Sequence, residues 1–155
     1  MYNIKTEDFY RQKIIYPNMT KFLPFVYDAD GFLTNQKCFI ITGKQVAFLT
    51  AFFNSSLFKY CFRDSFPELL GGTRELSKIF FDKIPVIQVD AETDKLFASK
   101  IMECQTLKAQ NIDTKKIEVE LDNMIFDLYG LSPEERKTIC CPTKSRHWKV
   151  EKDKD

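Results

Sequence analysis

Hydrophobic positions change their spacing twice along the chain. Between residues 13 and 42 they come as short clusters rich in β-branched and aromatic side chains: Lys13–Tyr16 (KIIY), Phe25–Tyr27 and Lys37–Thr42 (KCFIIT). Such clusters predict strands. Asp28-Ala29-Asp30-Gly31 predicts a turn, because Asp and Gly tolerate the backbone angles of a reversal. Apolar residues then run together in QVAFLTAFF, which predicts a buried helix ending near Asn54. Thr42-Gly43-Lys44-Gln45 ahead of it fits a capping box with Thr42 as N-cap. Ser56–Phe62 predicts a second helical piece and Gly71-Gly72 a tight turn. Ile79–Val89 predicts a strand-like stretch interrupted by Pro85.

From Asp90 onward the period is helical. Asp90 is the expected cap of a helix over Glu92–Gln110, where Leu96/Phe97, Ile101, Cys104 and Leu107 share a face. Asn111–Thr114 is a polar break. Ile117, Leu121, Met124 and Leu128 then repeat at a/d-like spacing, and Gly130 suits the helix end. Ser132-Pro133-Glu134-Glu135 predicts a further short helix started by a capping box with Pro at its first position. The simplest arrangement is two antiparallel helices with the Ile117–Leu128 stripe packed on Leu96 and Ile101; a dimer seam is the alternative. The expected fold class is therefore mixed α/β (α+β). It comprises a mixed-sheet unit over residues 1–89, a helical hairpin over 90–139, and a polar tail over 140–155 expected to be mobile.

Composition adds boundaries to this picture. The 155 residues are 44% hydrophobic and include 15 Phe, enough for one core of ordinary domain size. Lys and Arg number 23 and Asp and Glu 22, for a formal net charge of +1, which excludes a polybasic binder and an acidic-tail protein. The near-neutral total divides into +3 over residues 1–89, −4 over 90–139 and +2 over 140–155. No apolar run approaches the roughly 18–20 residues of a membrane span, and the N-terminal MYNIKTEDFYRQK has no apolar signal core. Five irregularly spaced cysteines, Cys38, Cys61, Cys104, Cys140 and Cys141, fit free thiols in a reducing cytoplasm. The one histidine, His147, lies in the polar tail, which leaves neither a zinc cluster nor a His-based nucleophile system. Glycine-rich phosphate loops of the G-x-x-x-x-G-K-[ST] or G-x-G-x-x-G type are missing. A complete enzyme is not expected.

Four segments in this order, KIIYPNMTKFLPFVYDADGFLTNQKCFIIT, LTAFFNSSLFKY, FFDKIPVI and IEVELDNMIFDLYGLSPEE, make the chain resemble the TaqI-like C-terminal specificity domain over about residues 11–139. Asn54-Ser55, Lys83-Ile84-Pro85 and Tyr129-Gly130-Leu131 recur in that family in the same order. The family forms the target-recognition part of type IIG restriction–modification enzymes and related adenine-specific DNA methyltransferases. The resemblance implies that catalysis lies in other modules, a methyltransferase with an NPPY-type motif and often a nuclease. Neither has a counterpart here: N-P-P-[YF] is absent, and the acidic-plus-lysine group Glu92/Asp94-Lys95 sits on a helix without a partner. It also implies double-stranded DNA and an upstream methyltransferase/nuclease module as partners, and no cofactor on this chain. S-adenosylmethionine would be the parent's cofactor, with Mg2+ added where the parent cuts.

A DNA-reading domain needs cations for phosphates and polar side chains for base edges. Arg11, Lys13, Lys21, Lys37, Lys44, Lys59, Arg63, Arg74 and Lys78 supply the charge. Arg63 and Arg74 bracket the irregular segment 64–73, where Gly71-Gly72 permits close backbone approach, so Gly72 and Arg74 are preferred; the competing role for Arg74 is an ion pair with Glu75 or Asp64. Asn18, Thr20, Asn35 and Gln36 flank the first strands and can bond adenine, or can simply form turns. Asn54-Ser55-Ser56 is expected to cap a helix, and Tyr16 and Tyr27 to pack in the core or its rim. The acidic helices are expected to support and space the recognition unit. Two other readings stay open: half of a type I-like specificity subunit, and a protein-interaction module that docks through its helices.

Overall fold

The computed structural model describes residues 6–21 and 24–140. Cys141, His147 and the rest of the expected tail beyond Cys140 lie outside the described residues. The described residues form strands β1 (Lys13–Pro17), β2 (Met19–Thr20), β3 (Val26–Asp28), β4 (Cys38–Thr42), β5 (Glu68–Leu69) and β6 (Thr73–Glu75). The helices are α1 (Val46–Asn54), α2 (Ser56–Phe62), α3 (Lys78–Phe81), α4 (Ala91–Ala109), α5 (Lys115–Leu128) and α6 (Pro133–Cys140). The fold is mixed α/β with helices at its C-terminal side.

The strands make two small sheets, ordered β3-β1-β4 and β2-β6-β5, and every pairing is antiparallel. β1 is the central strand of the first sheet, with Lys13 opposite both Asp28 and Thr42 and Ile14 opposite Tyr27 and Ile41. Ile14 and Tyr16 face the core. The chain leaves β1 and enters β2 through a single residue, Asn18, and so passes directly from one sheet to the other.

The core is largely phenylalanine. In α1, Val46, Ala47, Phe48, Thr50, Ala51, Phe52 and Phe53 are all buried, as the continuous apolar run predicts. Phe52 meets the Phe58 ring at 5.5 Å and Phe53 meets Phe81 at 5.2 Å, both edge-on. Edge-on contact sets the positive rim of one ring against the negative face of another. Phe48 touches Phe97 of α4 at 5.4 Å, and Phe52 stacks on Tyr129 at 5.5 Å. Both long helices thereby close the same core as the sheets.

Local capping signals hold at the C-terminal side. The Asp90 carboxylate accepts from the Thr93 amide at 2.7 Å, and Ser132 and Glu135 cap each other's backbone amides at 3.2 and 2.8 Å. Gly130, at φ 62°, ends α5 with paired bonds from its own amide to Asp127 and from the Leu131 amide to Phe126. Asn111, at φ 57°, closes α4 in the same geometry.

Three expectations require correction. Thr42 does not cap α1: Gln45 occupies that position in the left-handed region at φ 49°, without a side-chain cap. The first turn is completed from α4, where Asp94 accepts from the Phe48 amide at 2.8 Å. The stretch Ile79–Val89 is not a strand. It starts in α3, and residues 84–89 then have no ladder partner among the described residues. The Gln45 carboxamide stands in for one, donating to the Ile87 carbonyl at 3.0 Å and accepting from the Val89 amide at 2.9 Å. The α5 stripe is also rotated. Ile117, Ile125 and Phe126 are buried, whereas Leu128 is 38% and Leu96 62% exposed. α5 packs on α1 and α2 as well as on α4, so its buried face turns toward all three.

Candidate nucleic-acid interface

The β3–β4 connection, residues 29–37, is organised around one carboxylate. Asp28 ends β3 beside the central strand, and its Oδ1 accepts from the Asp30 and Gly31 amides at 2.9 and 3.2 Å. Oδ2 accepts from the Phe32 amide at 2.8 Å and from the Lys13 ammonium. This is the turn expected at Asp28–Gly31. Burial opposes ionisation of Asp28, but the Lys13 ammonium and the amides of Asp30 and Phe32 outweigh it and hold the carboxyl below its ordinary value. Lys13 Nζ also donates to the Phe9 carbonyl at 2.7 Å, within the 3-10 turn Thr6–Tyr10. Lys13 is fully buried, with 0% of its side chain exposed. It therefore cannot neutralise a phosphate, and its expected place among the DNA contacts is corrected. β1 is covered by strands on both sides, so a cation on it needs a buried anion, which the register provides in Asp28.

Beyond this anchor the loop faces water. Phe32, Leu33, Asn35, Gln36 and Lys37 are exposed. Gly31, at φ 80°, lies so close to Tyr10 that a Cβ there would sit 3.5 Å from the Tyr10 Cα. Exposed Tyr10 and Arg11 thus lie beside the loop; Arg11 is only loosely paired, at 3.8 and 3.9 Å from Glu7 and Asp8. Asn35 Oδ1 accepts from the Lys37 amide at 3.0 Å, and its carbonyl from the Cys38 amide at 3.2 Å. Asn35 therefore does shape a turn.

Asn18 joins this loop to the second sheet. Its amide donates to the Lys37 carbonyl at 3.1 Å, and its carbonyl accepts from the Leu76 amide at 2.9 Å. Its carboxamide has no hydrogen bond among the described residues. Thr20 pairs with Arg74 across the β2–β6 ladder. The β5–β6 hairpin turns through Gly71 and Gly72, at φ 77° and 74°. Among the described residues nothing lies within 4 Å of a Cβ built on Gly72, so backbone angle rather than crowding favours glycine there.

Arg74 is corrected as well. It is buried, donating to the Phe66 carbonyl at 2.7 Å and pairing with Asp64 at 3.1 Å and Glu68 at 3.2 Å. It clamps the base of the hairpin and is not presented to a base edge; the anticipated Asp64 pair is the one that forms. Burial and the adjacent Arg74 charge push the Arg63 guanidinium below its ordinary value, against the pull of Asp64 and Glu68. Lys78 pairs with Asp82 at 2.5 Å one turn along α3 and its Asp82-capped end. Lys21, Lys37, Lys44 and Lys59 are exposed and form no ion pair among the described residues.

Lys21, Lys59, Arg63 and Lys108 rim a cleft of about 730 Å³ floored by Phe25 and Ile101. Its polar walls are occupied with structure. Asn54 clamps both backbone groups of Phe25, at 3.1 and 2.7 Å, and Gln105 does the same to Tyr27, at 2.9 Å each. These amides cover the outer edge of β3 where a further strand would otherwise pair. Ser55 caps α2 through the Phe58 amide at 3.1 Å, as expected of that cluster, and Ser56 is held by Asp122 of α5 through its amide at 2.9 Å. Tyr16 and Tyr27 are core residues, and burial pushes the Tyr16 phenol up to about 12. Sequence reasoning read Asp28 as a turn residue without its Lys13 partner, placed Asn54 in a helix cap that Ser55 alone makes, and missed Gln105. Asp28 carried the signal of an Asx turn; the two amides carried none, since their partners are backbone atoms far along the chain.

A family model described as TaqI-like C-terminal specificity domain matches residues 1–86, more than half of the chain. No curated protein matches it significantly. The chain belongs to the TaqI-like C-terminal specificity domain family. The matched stretch contains both sheets and α1 to α3, and ends before α4.

Proposed function

We propose that this chain reads duplex DNA on behalf of a restriction–modification enzyme, through a face built from the β3–β4 loop, Asn18 and the β5–β6 hairpin. One observation carries the reading: within the family-matched residues, the Asn18 backbone bonds Lys37 at the end of the β3–β4 loop, at 3.1 Å, and Leu76 just past β6 of the second sheet, at 2.9 Å, while its carboxamide makes no hydrogen bond among the described residues. In this reading Arg11, Lys21 and Lys37 contact phosphates, and Asn18, Gln36 and the remaining Asn35 amide meet base edges. Methyl transfer or cleavage, with S-adenosylmethionine and Mg2+, belongs to other modules of a cytoplasmic parent. The unit over residues 1–89 does the reading and the helices over 90–139 support it, with two of their acids, Asp94 and Asp122, spent on ordering α1 and α2.

Selection from a randomised duplex pool, followed by binding to the enriched duplex at several salt concentrations, tests this. Log K should fall with log salt by about 0.9 per phosphate contacted. Lys37→Ala should lower that slope by about 1 across all sequences, and Gln36→Ala should relax preference at one position by about 1–3 kcal/mol. Salt-independent or absent binding, in the chain alone and joined to its methyltransferase module, would overturn the reading.

A further inference from the structure

We propose that the buried Lys13–Asp28 pair is a positioning device that pre-sets the β3–β4 loop and the Thr6–Tyr10 turn as one rigid recognition element. The inference rests on the reading that this loop contacts DNA, and it assigns the loop's sequence discrimination to two residues that never touch DNA. A connection spanning 29–37 would ordinarily lose conformational freedom on binding, and that loss weakens association. Here the ordering is built in before binding. Asp28 gathers three successive loop amides, from Asp30, Gly31 and Phe32, at 2.8 to 3.2 Å. Lys13 neutralises that carboxylate and reaches on to the Phe9 carbonyl at 2.7 Å, one residue before Tyr10. Besides the bond that joins the pair, four charge-assisted bonds run from it to backbone whose neighbours, Tyr10, Arg11, Phe32 and Leu33, are exposed. Side chains that read bases need support of this kind, because small displacements break bidentate bonds.

The double variant Lys13→Met with Asp28→Asn removes both charges together and avoids stranding either one in the interior. The full chain is compared with this variant for binding to the duplex enriched from a randomised pool, to a scrambled duplex, and for amide hydrogen exchange. The expected variant keeps its salt slope and its affinity for the scrambled duplex. Its preference for the enriched duplex falls at least tenfold, and amides 30–32 exchange at least tenfold faster while those of α1 do not change. A folded variant with unaltered preference, or with unaltered exchange at 30–32, overturns the positioning role alone. A wild-type chain that enriches no sequence overturns the DNA reading itself, and this inference with it. Should the double variant fail to fold, Lys13→Gln with Asp28→Asn keeps a neutral hydrogen bond across the site and must move preference and exchange in the same direction.

Discussion

Lys13 and Arg74 are cations of the two sheets, and both turn inward to hold the loop beside them, yet they do so in different surroundings. Lys13 and Asp28 are 0% and 2% exposed, so neither ion sees water. Arg74 is nearly as buried, but its partners Asp64 and Glu68 are 72% and 59% exposed. In the first sheet the loop is tied by backbone amides converging on a dehydrated pair. In the second it is tied by a guanidinium that bonds one carbonyl and reaches out to carboxylates at the surface. The same charge type thus yields a rigid, salt-insensitive anchor in one place and a screened, adjustable one in the other.

Removing one member of the first pair should have the largest effect. Lys13→Met or Asp28→Ala alone leaves an unpartnered buried charge and should destabilise the fold by about 3–5 kcal/mol, read by chemical denaturation. A loss below 1 kcal/mol would erase the contrast between the sheets. Arg74→Met should cost less, about 1–3 kcal/mol, chiefly by stranding the Phe66 carbonyl. Asp64→Ala and Glu68→Ala should each cost about 0.2–1 kcal/mol, with the difference from wild type shrinking as salt rises; an equal cost at high salt would place these carboxylates in a far drier setting than their exposure implies. The pairs also separate by pH. Because Asp28 is held below its ordinary value, its contribution is present in full above the usual carboxylate range and is lost only as pH falls through that lowered value. Fast exchange at amides 30–32 should therefore set in at a lower pH than an ordinary carboxylate's titration, a shift that Asp28→Asn should abolish.

The sequence was most legible where one turn of backbone decides the outcome. Asp90, Ser132–Glu135 and Gly130 act on groups three to five residues away, and each does what its type and spacing imply. The Ser56–Phe62 helix appears with the expected bounds. The candidate site was less legible. Among the cations put forward for it, Lys13 and Arg74 proved internal, although cations in a mildly basic zone read equally well as phosphate contacts. Their fate depended on a register that pairs Lys13 with Asp28 and on a hairpin that brings Glu68 opposite Arg74. The capping box at Thr42 failed for a related reason. α1 starts later than that box implies, a carboxylate 46 residues downstream from Phe48, Asp94, takes the Phe48 amide of its first turn, and Gln45 was needed to hold residues 87–89.

By itself the sequence determined the kinds of elements, their order and the phenylalanine-rich helix at their centre, because propensity, period and capping are properties of neighbouring residues. It also carried the family likeness, which rests on ordered segments rather than on contacts. Tertiary structure alone decided which polar groups stay exposed and which are consumed inside. A Lys, Asp, Asn or Gln takes its role from whatever opposes it across a sheet or helix packing, and in this chain those partners lie up to 78 residues away.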